Sequence, residues 1–260
     1  MEARTTIDLV SPPYKASLSR APGARQPWLV TITAVLVSSL DDQLNAVVDT
    51  GVPGAVAAVA GPGFVWEGAA GVADVETGTR LTPAHRFRIA SVTKIFVATV
   101  VLQLVGEGAL DLDGEVDSVI EGVKVRQLLN HTSGLPNSYD DFDSLLEPYR
   151  RDRAYRPEST PREALELVRS KSRLFPPGSG WSYSGSNYLA LGLIVEETTG
   201  ATIRNELRRR IAEPLGLHAT DLPDDRSPPT DLARGYLPPD NPLLPDRGPG
   251  LIDVSWPCPT

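Results

Sequence analysis

The run SVTKIFVATVVLQLVG, positions 91 to 106, constrains this chain more than any other stretch. Ile95, Phe96, Val97, Val100, Val101, Leu102 and Leu104 leave hardly any side of a helix polar, so the pattern predicts a helix that belongs in the middle of a domain. Ser91 and Lys94 break it. Three positions apart, they fall on one face a turn apart, where an amine reaches a hydroxyl. In one reading Ser91 is a cap and Lys94 extends its ammonium to water. In the other, Lys94 is the base that a serine needs to become a nucleophile, because burial penalises the ammonium form. The helix N-terminus favours an anion developing nearby. Spacing alone leaves both readings open.

A chain of 260 residues is long enough to bury a core of full domain size. Apolar residues at 41% and charged residues at 22% are ordinary globular values. The formal net charge of -8 argues against nucleic acid as a partner, since such proteins need a basic face to displace counterions. Lysines are scarce, occurring at 15, 94, 124 and 171 only. The single cysteine, Cys258, allows no intrachain disulfide and no cysteine-based metal cluster. His85, His131 and His218 form no pair at metal-ligand spacing, and nothing calls for a cofactor.

Residues 1–33 read as an irregular tail. PWLVTITAVLVSSL, with Arg20 and Arg25 upstream, is the one candidate targeting segment, but the stretch before it is long and carries Glu2 and Asp8. The run is also too short for a stable membrane span. LDDQLNAVVDTG predicts a short amphipathic helix from Leu40. Two β-rich runs around Gly61, Pro62 and Gly63 predict a hairpin. Further helices are predicted after Val125, after a Thr160 cap with Pro161 and Glu163, over NYLALGLIVEETTG closed by Gly200, and over IRNELRRRIAEPLGL broken at Pro214. Strands are expected only in the first third, and the proline-rich stretch from Asp221 onward is expected to lack regular structure.

A second polar cluster, PPGSGWSYSGSNYLALG at 176 to 192, places Tyr183 and Asn187 in a turn ahead of an apolar helix. A tyrosine near a lysine can relay protons to a leaving group. Taken alone, Tyr183 reads first as an aromatic packed on the helix it precedes, the role assigned to Tyr188.

Taken together, SVTK, VRQLLNHTSGLP, PPGSGWSYSGSNYLALGLIVEETTG and EPLGLHATDLP, in this order, resemble the serine β-lactamase-like family, which includes class C β-lactamases, D-alanyl-D-alanine carboxypeptidases and related esterases. The resemblance runs from about residue 40 to residue 236. It implies an α+β, β-lactamase/transpeptidase-like fold: an antiparallel sheet with packed helices, plus a helical region. It makes Ser91 the acylated serine, Lys94 the residue that activates it and Tyr183 the tyrosine of a Y-x-N motif, with His131 structural in its HTSG turn. The implied substrate is a D-alanyl peptide, a β-lactam or a small ester, and many relatives are extracytoplasmic. The implied domain covers 34–236, with 237–260 a proline-rich tail.

Two departures bear on activity. Where the family has asparagine two residues after the tyrosine, this chain has Gly185, which leaves Asn187 as a partial substitute in substrate binding. No Lys/His-Thr/Ser-Gly tripeptide occurs, so the resemblance implies that the C-terminal strands are missing from this sequence. The loss of one oxyanion donor costs about 2.7 to 4 kcal/mol of transition-state stabilisation. The competing expectation is therefore a remnant or binding module that keeps the S-x-x-K cleft without turnover. A G-x-S-x-G elbow is absent, which disfavours an α/β-hydrolase.

Overall fold

The computed structural model describes residues 27–62, 64–137, 160–222, 229–237 and 252–253. Most of the expected N-terminal tail and of the proline-rich C-terminal stretch, Cys258 included, lies outside these residues. The chain divides into two compact units, one comprising Ile89–Ser227 with short terminal segments and the other Val10–Arg88 with Pro228–Ser255.

The second unit begins with helix α1, Pro27–Asp49, followed by β1, Gly54–Gly61, β2, Phe64–Asp74, and β3, Thr79–Arg80, in one antiparallel sheet of order β1-β2-β3. The hairpin forms as expected, with Gly61 opposite Phe64. The helix starts earlier than its amphipathic portion suggests, because the apolar run from Pro27 continues the same helix. Val37, Leu40, Leu44 and Val48, spaced three or four apart, present one stripe to Trp66 and Ala70 of β2. The Trp66 indole lies over Gly68, where a Cβ would come within 2.3 Å of the ring, so glycine is required there. Segment 229–235 is tied to this unit by Arg86 and Asp231 at 3.0 Å and by Arg234 and Asp74 at 3.0 Å. It leads into β6, Tyr236–Leu237, which pairs with β7, Ile252–Asp253. Short strands thus occur where prolines had predicted none, since a two-residue ladder fits between them.

The first unit is built around α2, Thr93–Gly106, which a 3-10 turn at Ala90–Val92 precedes. Next come a β4 (Glu115–Val116) and β5 (Ile120–Lys124) ribbon, α3 (Val125–Leu129), α4 (Pro161–Arg169), α5 (Ser186–Thr199) and α6 (Ile203–Leu207), which runs on into a π-helical turn at Arg208–Ala212. The β4-β5 ribbon lies outside the first third of the chain, because its strands are too short to show alternation. α4 has the predicted start: Thr160 and Glu163 close a reciprocal capping box with Pro161 in the first turn. α5 ends at Gly200, whose φ of 68° is the left-handed closure expected of glycine. Its Leu189, Ala190, Leu191, Leu193, Ile194 and Val195 are buried, and it packs against α2, α3 and α4. Val97, Val100, Val101 and Leu104 of α2 join that core. α2 is not buried all round, however: Ile95 is 67% exposed and Leu102 51%.

Candidate active site

The 3-10 turn that starts α2 is bent by Ala90, a non-glycine residue at φ 42°. That conformation is uncommon for a residue with a Cβ and stores strain immediately before Ser91. The turn leaves Ser91 exposed and Lys94 half-buried one turn on, so the apolar helix does not engulf the lysine. Lys94 Nζ donates to Ser91 Oγ at 3.2 Å. Across from them, Tyr183 Oη lies 2.8 Å from Ser91 Oγ, where either hydroxyl can donate. Ser91 Oγ therefore sits between an amine and a phenol, and the three residues expected from the sequence meet at one point.

Tyr183 comes from an irregular segment stitched to the loop after α3. Ser182 N–H donates to the His131 carbonyl at 3.1 Å, and the Ser184 and Ser186 hydroxyls both donate to the Pro136 carbonyl, at 3.1 and 2.8 Å. Gly185 N–H donates to Asn137 Oδ1 at 2.9 Å. Gly134, at φ 74°, lets the loop pass beside Phe175, whose carbonyl oxygen would be 2.0 Å from a Cβ at position 134. Two serines and an asparagine thus hold the turn that carries the tyrosine, and Ser184 and Ser186 are fully buried, away from any substrate.

His131, also at positive φ, is the hub beneath the site. Its Nδ1 accepts from Ser184 N–H at 3.2 Å, and the Asn187 amide nitrogen lies 3.0 Å away. Two donors at Nδ1 place the ring proton on Nε2. The ring lies 4.7 Å from that of Tyr183, centroid to centroid, and meets Trp181 edge-on at 6.3 Å. Burial, and then the charge of Lys94, hold His131 below its ordinary value, in the neutral form.

Asn187, expected as a partial substitute in substrate binding, is fully buried, which corrects that expectation. Its Oδ1 accepts from Ser133 Oγ at 2.6 Å while its nitrogen faces His131, so its carboxamide has no path to a substrate. Position 187 is in the first turn of α5, where the helical phase points it inward.

The two tyrosines are driven apart in opposite directions. For Tyr183, burial acts to raise the phenol, but hydrogen bonds to Lys94 and Ser91 and the charge of Lys94 outweigh it and bring the phenol below its ordinary 10.0. Tyr188 is raised, first by burial and then by Tyr183, so its hydroxyl stays protonated and donates to the Leu129 carbonyl at 3.2 Å. Only Tyr183, of the two, has its hydroxyl beside Ser91. Among the described residues no three or more histidine, cysteine or carboxylate side chains are placed to hold a metal ion, and no helix is long and apolar enough to cross a membrane.

Comparisons with known proteins agree on one family. The family model described as Beta-lactamase matches residues 37–252. Penicillin-binding protein 4 of Amycolatopsis lactamdurans is 34% identical over 186 residues, 67% of this chain and 46% of that protein. Esterase EstB of Burkholderia gladioli is 35% identical over 202 residues, 69% of this chain and 51% of the esterase. A solved D-amino acid amidase from Ochrobactrum anthropi SV3, complexed with L-phenylalanine amide, superposes with a TM-score of 0.69 at 30% identity, covering 84% of this chain and 61% of the amidase. The chain spans about half the length of the curated relatives it matches.

Proposed function

The chain belongs to the beta-lactamase family, and from that premise we propose that it is a serine acyl hydrolase with Ser91 as nucleophile, Lys94 and Tyr183 as its proton-handling partners, and a small amide, β-lactam or ester as substrate. The observation that carries the reading is the position of Ser91 Oγ, 3.2 Å from Lys94 Nζ and 2.8 Å from Tyr183 Oη. Ser91 attacks the substrate carbonyl as its proton passes to Tyr183, whose phenolate the Lys94 ammonium stabilises. The proton then moves to the departing amine or alkoxide as the carbonyl bond to it breaks, leaving an acyl-serine. Water repeats the sequence on the acyl-enzyme, releasing the acid and restoring Ser91. Support for this substrate range comes from the relatives, among them a penicillin-binding protein, an esterase and an amidase.

A second reading, acylation without turnover, draws on Gly185, which offers no side-chain amide beside Tyr183. One experiment separates the two. The purified chain is mixed with a fluorescent penicillin and, separately, with a nitrophenyl ester, and its mass is followed. A single adduct on Ser91 that forms and decays with continuing product release supports the hydrolase; an adduct that persists after one equivalent supports the second reading. An adduct retained in Ser91→Ala sinks both.

A further inference from the structure

Lys94 has, among the described residues, no carboxylate partner. Its ammonium instead lies over two aromatic faces, with Nζ 5.2 Å from the centroid of the Tyr183 ring and 5.6 Å from that of Tyr188. Both distances are within the roughly 6 Å over which a ring quadrupole attracts a cation. The Tyr188 ring is itself fixed at two points, by its hydroxyl on the Leu129 carbonyl and by the His131 ring at 5.5 Å. It comes from the first turn of α5, whose core-facing residues anchor it. Gly185, between the two tyrosines, contributes no side chain to the lysine.

We propose that Tyr188 is a positioning residue for Lys94, its ring forming with that of Tyr183 an aromatic seat that holds the ammonium at hydrogen-bond distance from Ser91 Oγ. The seat does what an anion would do for placement without neutralising the cation, so the positive charge stays available to Ser91 and Tyr183. Tyr188 does not touch the reacting atoms; it acts through Lys94. The ring, rather than the hydroxyl, carries the role, and this separates Tyr188 from Tyr183, whose hydroxyl is in contact with the serine. The inference rests on the proposed reading of Ser91 only for its kinetic consequence.

Two measurements test it on the full chain. With only four lysines, at 15, 94, 124 and 171, a sample carrying carbon-13 lysine gives a spectrum in which the Lys94 ε-methylene signal is assigned by its loss in Lys94→Arg. That signal is expected upfield of the other three through ring currents, to stay there in Tyr188→Phe, and to move back toward them in Tyr188→Leu. In parallel, labelling of Ser91 by a fluorophosphonate probe across pH 6 to 10 is expected to slow about 5- to 30-fold in Tyr188→Leu, the range a cation over a ring is worth, and to shift its pH profile. Tyr188→Phe is expected to recover most of the rate and the wild-type profile, which a hydroxyl-dependent packing role would not do. A Lys94 signal coincident with the other lysines in the wild-type chain overturns the proposal, and so does Tyr188→Leu labelling with unchanged rate and profile. Should Tyr188→Leu fail to fold, Tyr188→Met replaces it, and the wild-type spectrum already decides. Labelling that survives Ser91→Ala defeats the assignment of Ser91 and leaves the spectral result standing by itself.

Discussion

At the N-terminal end of α2 the Lys94 ammonium meets a hydroxyl and two rings; just past its other end, Glu107 meets Arg210 at 2.5 Å, and Arg210 also holds Glu206 at 2.5 Å. The second cluster is a closed account of charge. The Glu206 side chain is only 4% exposed and accepts from Arg210 and Arg209. Burial acts to raise its carboxyl, yet the two guanidinium groups outweigh that and lower it. Every member is committed to another, and the network joins α6 to the end of α2. The first cluster is left open: one cation with no counter-ion among the described residues, a phenol below its ordinary range and an exposed hydroxyl. The two clusters at the ends of one helix thus differ in kind: one fastens helices, and the other holds the cation to which the proposed reaction assigns a part.

The largest effect that would break this contrast comes from Lys94→Met. It should lower the rate of Ser91 acylation about 10³-fold, as expected for loss of the positioned charge that stabilises the Tyr183 phenolate, with the urea midpoint of unfolding close to wild type. A large loss of stability would mean that Lys94 is a structural cation after all. Arg210→Met should do the reverse. Removing one partner of a buried pair destabilises by about 3 kcal/mol, read in urea unfolding, while Ser91 labelling per folded molecule stays at the wild-type rate.

Acid separates the two regions in a smaller way. His131 is held below its ordinary 6.5, so the folded state resists its protonation; its contribution is complete above pH 6.5 and is lost as pH falls through the window below. Glu206 is lowered from 4.5, so its contribution persists through that window and fades only as pH drops below 4.5. Thermal midpoints measured from pH 8 to pH 3 should fall in two stages, with the upper stage absent in His131→Gln. A single stage would show that the histidine is not coupled to folding. Smallest of all is Asp113→Asn, which cuts an exposed pair with Arg126 and should leave the thermal midpoint unchanged.

What the sequence revealed follows from how local each interaction is. Ser91 and Lys94 share one helical turn, so their spacing predicts their contact, and the capping box at Thr160 and Glu163 was legible for the same reason. Tyr183 is 92 positions from Ser91; no periodicity links them, and only the ordered set of motifs brought it to the site. His131 was expected to be structural, but its partners, and the role of Asn137, were hidden because they arise where two irregular segments run side by side. Asn187 was misjudged for a geometric reason: one residue inside α5, the helical phase turns it from the cleft to the core. The uniform apolarity of α2 could not say which of its faces is covered, and Ile95 and Leu102 lie on the one that is not.

The left-handed turn at Ala90 bears on how this protein would respond to selection for heat resistance. A methyl side chain at φ 42° opposes its own backbone, and Ala90→Gly removes that opposition, which the strain stored at such positions puts at about 1 to 3 kcal/mol before the added freedom of glycine in the unfolded chain is subtracted. A screen that rewards survival alone should therefore reach position 90 early. The same change loosens the backbone immediately before Ser91, so the variants it enriches should acylate more slowly than the parent. A library sorted first by residual fold after heating, and then by labelling rate, should show glycine at 90 rising in the first sort and falling in the second.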